Sequence, residues 1–321
     1  MSSETLTPSS AHWQAYWSAP EGRRAAVSGD AAGAIFDEVW RRFLRAAFAS
    51  KTNPSFLDLA CGAGVVLERA MEAIDGGQVE KILFVGLDFA PSAAAAIARK
   101  TAPDEAIVAG VAATADTIPF SDGVFDIVVS QFGLEYAGLG AFDEAARVLA
   151  PGAAFQFVVH YKDGAIYREC CENRRVLDAI LESGFFETII AAIRGPDHDG
   201  AIAKLNSIFD SLKRLLEGDR VAAKEMLGRL LSDAARLVAR RQAYHPDEAV
   251  AWCEAMRNEL ALYEGRMRAM TQSALDRAGI EAARNRLLAQ NPSIFRPEVN
   301  ALTPQGSSIP AAWLLKTPDR A

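Results

Sequence analysis

Cysteine is scarce and unpaired in this chain. Cys61, Cys170, Cys171 and Cys253 form no Cys-x-x-Cys spacing, and the four histidines, His12, His160, His198 and His245, are scattered. Neither a disulfide framework nor a zinc site is expected, and no metal ligand set is assigned. Long apolar runs are also missing. The richest stretch, 81–90, is interrupted by Gly86 and Asp88, well short of the roughly 18 to 20 residues of a membrane span. The opening MSSETLTPSSAHWQAYW lacks a basic start followed by an apolar segment, so it does not read as a secretion signal and a cytoplasmic location is expected. Positive charge is not in excess: 34 Lys and Arg stand against 41 Asp and Glu, for a net charge of −7. Residues 164–290 hold 19 of each sign and the rest of the chain 15 against 22. Partners bound mainly through phosphates need a clustered positive surface, so nucleic acid and anionic membrane are disfavoured.

What is present is ordinary globular material, 50% hydrophobic and 23% charged over 321 residues. That length exceeds what a single simple core usually serves, and predicts one elaborated domain or two smaller ones. The rhythm of the sequence changes near residue 163. Before it, β-rich runs at 55–60, 82–89, 106–111, 125–132 and 153–160 alternate with helical patterns at 65–74, 92–100 and 142–149. This alternation predicts βαβ units and a parallel sheet. Upstream, Ile35, Val39, Trp40, Phe43, Leu44 and Ala47 recur at helical spacing and predict a helix packed on that sheet.

From 165 to about 290 the text is helical throughout, with breaks expected at Gly195-Pro196, Gly218-Asp219 and His245-Pro246, giving three to five helices. Asp197-His198-Asp199 reads as a solvated loop. After Asn291-Pro292, two β-like runs at 293–303 and 311–317 flank Pro304-Gln305-Gly306, as a hairpin closing the sheet would. The predicted organisation is therefore N-terminal helices covering the site (1–52), an α/β core (53–163), a helical cap inserted after the fifth strand (164–290) and C-terminal strands completing the sheet (291–321).

The sharpest signal is Asp58-Leu59-Ala60-Cys61-Gly62-Ala63-Gly64, a strand running into a glycine turn and then a helix. Glycines there let the backbone approach a ligand, and the helix N-terminus favours its negative end. The next unit, Gly86-Leu87-Asp88-Phe89-Ala90-Pro91, ends a buried strand on a carboxylate placed for the two hydroxyls of a ribose, with Pro91 suited to a first helical turn. A dinucleotide fingerprint would need a small residue three positions after Gly64, where Leu67 stands, so NAD is disfavoured.

These motifs, with Ala113–Phe120, Phe125–Ser130 and Ala146–Gly152 in the expected order, resemble the class I S-adenosylmethionine-dependent methyltransferases, in particular the small-molecule branch that includes quinone-biosynthesis enzymes. The resemblance implies a Rossmann-like, doubly wound sheet of seven strands. It also implies S-adenosylmethionine as cofactor, S-adenosylhomocysteine as product, and no metal. Cofactor contacts implied by the matched positions are Asp58, Ala60, Gly62, Gly64, Asp88, Phe89, Thr114, Ala115 and Gln131. Two positions depart from the family pattern: alanine replaces the first glycine at 60, and Thr114 replaces an aspartate that holds the adenine amino group.

A sulfonium is already activated, so transfer needs alignment and exclusion of water more than side-chain chemistry. Aromatic faces can stabilise its charge; Trp13, Tyr16 and Trp17 are candidates, with capping of the core as the alternative. His160, at the end of the fifth strand, is the candidate general base, against a structural histidine. Glu135 and Tyr136, just past the fourth strand, are candidate substrate or lid residues. Ser130-Gln131-Phe132-Gly133 is not the Asn/Asp-Pro-Pro-aromatic motif of amino-methylating nucleic-acid enzymes, and no Pro-Cys nucleophile appears. Methyl transfer to O, N or C of a small organic acceptor is the expected activity, with the helical segment a candidate homodimer surface. The rivals are an NAD-binding oxidoreductase and a non-catalytic S-adenosylmethionine binder whose helical segment is a protein interface.

Overall fold

The computed structural model describes residues 10–18, 31–74, 82–100, 106–215, 223–294 and 296–318. Seven strands form one sheet: β1 (Ser55–Leu59), β2 (Leu83–Asp88), β3 (Ile107–Ala112), β4 (Phe125–Gln131), β5 (Leu149–His160), β6 (Glu298–Leu302) and β7 (Ala312–Lys316). Their order is β3-β2-β1-β4-β5-β7-β6. β1 to β5 are parallel, and β7 runs antiparallel to both β5 and β6. The parallel βαβ core expected from the alternating pattern, and the seven-stranded doubly wound sheet implied by the resemblance, are the observed fold.

Both faces of the sheet are covered, which is why its strands read as near-continuous apolar runs. Because successive side chains alternate sides, Leu57, Leu59, Val85, Leu87, Val128, Trp313 and Leu315 enter one core cluster and Phe56, Phe84, Ile127, Val129 and Leu314 the other. The second cluster is closed by the helix Ala31–Ala49 through Phe36, Trp40, Phe43 and Leu44. That helix therefore packs on the sheet as its periodicity predicted. Of the N-terminal helices among the described residues, α1 (Ser10–Ser18) lines the cavity described below, while α2 (Ala31–Ala49) packs on the sheet.

The helices that follow are α3 (Val65–Glu72), α4 (Pro91–Ile97), α5 (Gly140–Val148), α6 (Ala165–Glu182), α7 (Phe185–Arg194), α8 (His198–Arg214), α9 (Ala223–Ala239), α10 (Pro246–Ser273) and α11 (Arg277–Gln290). Six of these, α6 to α11, fall in the segment where three to five were expected. The break at Gly195-Pro196 and the start at Pro246 agree with the expectation, while Gly218-Asp219 lies outside the described residues. The extra helices come from two signals passed over: Gly184 in the left-handed region (φ 72°), which separates α6 from α7, and Asp276, whose side chain caps α11 by accepting from Gly279 N. Asp197 likewise caps α8, accepting from Gly200 N at 2.9 Å. Asp197-His198-Asp199 is thus a helix start rather than the solvated loop expected.

Two compact units emerge: Met1–Tyr167 with Gln272–Ala321, and Arg168–Thr271. The boundary differs from 164–290 chiefly at its end, for a physical reason. Ile280, Ala283 and Leu287 of α11 are fully buried in the sheet's core with Phe142 and Phe157, so α11 belongs to the α/β unit. Residue 275 is tied to the end of β5, with Leu275 N donating to His160 O and Lys162 N to Leu275 O, both at 3.0 Å. The helical unit has its own apolar interior, including Phe185 stacked on Phe209 at 5.8 Å. Its buried Glu264 is paired with Arg174 at 3.2 Å and Arg268 at 2.8 Å.

Candidate functional site

At the C-terminal ends of β1, β2 and β4, where the strand order reverses, doubly wound sheets bind their ligands. A cavity of about 350 Å³ lies there, within the size range of small-molecule sites. Ala60 follows β1; Leu87, Asp88 and Phe89 end β2; Thr114, Ala115 and Asp116 follow β3; Phe132, Gly133 and Tyr136 follow β4; and Trp13 and Trp17 of α1 complete the wall. Two other hollows, at the opposite end of the sheet (Arg42, Gly152, Ser293; about 800 Å³) and in the helical unit (Trp252, Met256, Tyr263; about 450 Å³), have no buried carboxylate in their linings.

The turn after β1 is built on left-handed backbone: φ is 51° at Ala60, 50° at Gly62 and 80° at Gly64. Alanine at 60 is therefore accommodated, but in a conformation that costs an L-residue about 1–2 kcal/mol. Phe132, across the cavity, is also left-handed (φ 54°). Strained non-glycine residues of this kind concentrate at functional sites. A side chain on Gly62 would collide with the indole of Trp17, its Cβ lying 2.4 Å from the ring, and one on Gly133 would meet the methyl of Ala60 at 2.4 Å.

Two acids define the electrostatics. Asp88 is 3% exposed; one oxygen accepts from Gly62 N and the other from Ala90 N, each at 2.9 Å. It thereby locks the glycine turn against β2, and each oxygen retains a second lone pair. Asp58 is 1% exposed, and its Oδ2 has no hydrogen-bond partner among the described residues. Burial pushes its carboxyl well above the usual range, the Leu67 N–H pulls it down, and the charge of Asp88 pushes it up again. Asp88 is raised too, by burial against the opposing N–H donors. Burial and both acids push up the Cys61 thiol, so it is no nucleophile at neutral pH. A buried pair of acids with an orphaned oxygen suits a ligand that brings hydroxyls and positive charge, and repels a pyrophosphate. The residues present fit S-adenosylmethionine, whose ribose offers the hydroxyls and whose ammonium and sulfonium offer the charge.

Residues 57–157 match the family model described as a methyltransferase domain. This segment is similar to the methyltransferase domains of class I. Over 132 residues the chain is 35% identical to a demethylmenaquinone methyltransferase of Beutenbergia cavernae, covering 40% of this chain and 50% of that one. Over 169 residues it is 31% identical to a malonyl-[acyl-carrier protein] O-methyltransferase of Geobacter sulfurreducens, covering 50% and 59%. A crystal structure of an S-adenosylmethionine-dependent methyltransferase from Aquifex aeolicus aligns with a TM-score of 0.29 and 19% identity, over 35% of this chain and 58% of that one. The chain spans about half the length of the Beutenbergia relative. No helix among the described residues is long and apolar enough to cross a membrane.

The sequence-derived site residues separate into groups. Ala60, Asp88, Phe89, Thr114, Ala115, Trp13, Trp17 and Tyr136 line the cavity. Asp58, Gly62 and Gly64 belong to β1 and the turn after it and are not among the lining residues. Gln131 does not line it: its side-chain oxygen accepts from the indole N–H of Trp40, on the α2 face of the sheet. His160 and Glu135 are buried and paired with each other, and the imidazole packs on Phe132 at 4.3 Å and Tyr136 at 5.7 Å. Asp116 was missed; it lines the cavity two residues past Thr114, where an acid was expected. The loop that follows is gripped by Arg147, which donates to the carbonyls of Ile118 and Phe120 and to Glu144 and Asp122, while Glu144 accepts from Ile118 N.

The raised acids make a signed prediction. A carboxyl whose folded-state pKa exceeds its unfolded value, about 4, binds protons more strongly when folded. Stability of the ligand-free protein should therefore fall as pH rises from about 4 through the raised values of Asp58 and Asp88. A cationic ligand favours the ionised acids, so binding of S-adenosylmethionine at mildly acidic pH should release protons. Calorimetric titration in two buffers of different ionisation enthalpy measures this; net proton uptake would contradict the assignment of these acids.

Proposed function

We propose that the chain is an S-adenosylmethionine-dependent methyltransferase that transfers a methyl group to an O, N or C atom of a small organic acceptor by in-line displacement, releasing S-adenosylhomocysteine. The observation that carries this reading is Asp88: a buried carboxylate at the end of β2, lining the cavity, with both oxygens anchored by backbone N–H groups and both still able to accept. Bound there, the cofactor supplies an activated methyl group on a sulfonium. Asp88 holds its ribose hydroxyls, and the turn from Ala60 to Gly64 takes its methionine portion, with Asp58 opposite the positive charge. Phe89, Thr114, Ala115 and Asp116 receive the adenine. Trp13 and Trp17, whose rings stack at 6.4 Å, offer aromatic faces to the sulfonium and exclude water. His160 is the proposed general base. Gln131, held by Trp40, has no part in this scheme.

A small acceptor is supported by the chain's acidic character and by the relatives, one acting on demethylmenaquinone and another on malonyl-[acyl-carrier protein] by name. A cytoplasmic location, and a homodimer through the helical unit, belong to the same proposal, as does transfer without a metal. The test is calorimetric titration with S-adenosylhomocysteine and NAD, followed by thermal unfolding, since a ligand specific for the folded state raises the melting temperature. S-adenosylhomocysteine should bind and stabilise while NAD does neither. NAD binding tighter than S-adenosylhomocysteine would overturn the assignment. Binding without release of S-adenosylhomocysteine in the presence of a short-chain demethylmenaquinol would favour a non-catalytic binder.

A further inference from the structure

The turn Leu134–Ala137, whose Tyr136 and Ala137 line the cavity after β4, also carries a buried acid outside that lining. Glu135 is 4% exposed, and its Oε1 meets His160 of the neighbouring strand twice: it accepts from the backbone N–H at 3.0 Å and lies 2.6 Å from ring Nδ1. An oxygen that already accepts from the main chain is an acceptor toward the ring as well, so Nδ1 carries the proton and the lone pair is left on Nε2. The second oxygen, Oε2, is buried with no hydrogen-bond partner among the described residues. Leaving a carboxylate oxygen unsatisfied in this way is costly, and a histidine that only filled space would be served as well by a carbonyl or an amide. The imidazole is held in place by Phe132 and Tyr136, both of which also line the cavity.

We infer that Glu135 is a positioning residue that fixes His160 as the Nδ1–H tautomer, so that Nε2 accepts the proton of an acceptor hydroxyl, and that the acceptor is accordingly a phenol, enol or quinol. The inference rests on the methyltransferase reading above. The O–H bond breaks with its proton passing to Nε2, and the electron pair left behind forms the new bond to the methyl carbon. The donor's sulfur keeps the pair of the bond it loses and becomes a neutral thioether. Where attack runs through a conjugated ring carbon, that carbon sheds its own proton to solvent and His160 returns its proton to the oxygen. In either case the imidazolium formed lies against the Glu135 carboxylate, which balances its charge. An amine acceptor, able to lose its proton after transfer, has no need of this pair.

Nitrogen-15 spectra of the full-length protein labelled at histidine test this directly, with the His160 signals assigned by their loss in His160→Gln. The wild type should show the Nδ1–H form with an unprotonated Nε2. In Glu135→Gln that preference should mix or reverse, S-adenosylhomocysteine affinity should stay within about twofold, and turnover of a short-chain demethylmenaquinol should fall by about a hundredfold, the lower end for loss of general-base catalysis. A wild type that binds S-adenosylhomocysteine but holds His160 as the Nε2–H tautomer overturns the inference and leaves the proposed function standing, a result that requires no variant to fold. Measurable and equal turnover in wild type and Glu135→Gln also overturns it. A wild type that binds no S-adenosylhomocysteine removes the methyltransferase reading itself.

Discussion

Replacing Asp88 by alanine should weaken S-adenosylhomocysteine binding by about ten- to a hundredfold, the equivalent of roughly 1.5–3 kcal/mol for a charge-assisted hydrogen-bonding partner. The change removes more than a ribose contact. Asp88 also receives the N–H groups of Gly62 and Ala90, so its loss leaves two buried donors unpaired at the glycine turn, at about 1–3 kcal/mol each. Part of that cost is offset because the carboxyl is itself raised by burial and no longer has to be desolvated. Against a total stability of about 5–15 kcal/mol, the variant should remain folded. Asp88→Asn keeps an acceptor for one of the two N–H groups and should fall between the wild type and alanine in both affinity and denaturation midpoint. An Asp88→Ala protein that binds S-adenosylhomocysteine as well as the wild type would remove the ribose role.

How much of this was readable from the chain depends on the range of the interactions involved. Asp58, Gly62, Gly64 and Asp88 are legible because strand, turn and carboxylate lie within a few residues of one another, and the backbone that unites them is local. Period-two burial is legible for the same reason, so that Phe56 and Leu57, or Leu314 and Leu315, are assigned to opposite faces by alternation alone. Gln131 is the counterexample. Its position at the end of β4 suits a cofactor contact, but Trp40, 91 residues earlier, claims its amide oxygen, and no local pattern announces a partner that distant. The pairing of Glu135, in the turn after β4, with His160 at the end of β5, 25 residues away, is equally silent in the sequence. Asp116 had a faint signal, an acid two positions beyond the one that was missing. The helical unit was misjudged at its end because α11 has the same Leu, Ala and Arg text as its neighbours, and only the burial of Ile280, Ala283 and Leu287 against Phe142 and Phe157 separates it from them.

That last point decides where the chain can be cut. Truncation after residue 290 removes β6 and β7, and β7 is an inner strand: it pairs with β5 from Gln156 to His160 and with β6 along its other edge. Trp313, Leu314 and Leu315, at 3%, 6% and 0% exposure, leave with it. At about 1.5–3 kcal/mol for each buried side chain, the loss is roughly 5–9 kcal/mol, comparable to the whole stability of a domain, and the exposed edge of β5 is an aggregation template. The truncated chain should fail to accumulate as soluble protein. Excision of 168–271 with a short flexible linker should have the opposite outcome. The cut ends lie just beyond the bonds that join Leu275 to His160 and Lys162, so a short connection can close the gap, and the sheet, both core clusters, α11 and the cavity all remain. The shortened protein should bind S-adenosylhomocysteine within a few-fold of the full chain, because every residue lining the cavity lies outside the excised segment. An excised protein that unfolds, beside a 290 truncation as stable as the full chain, would mean that the sheet is completed by the helical unit rather than by β6 and β7.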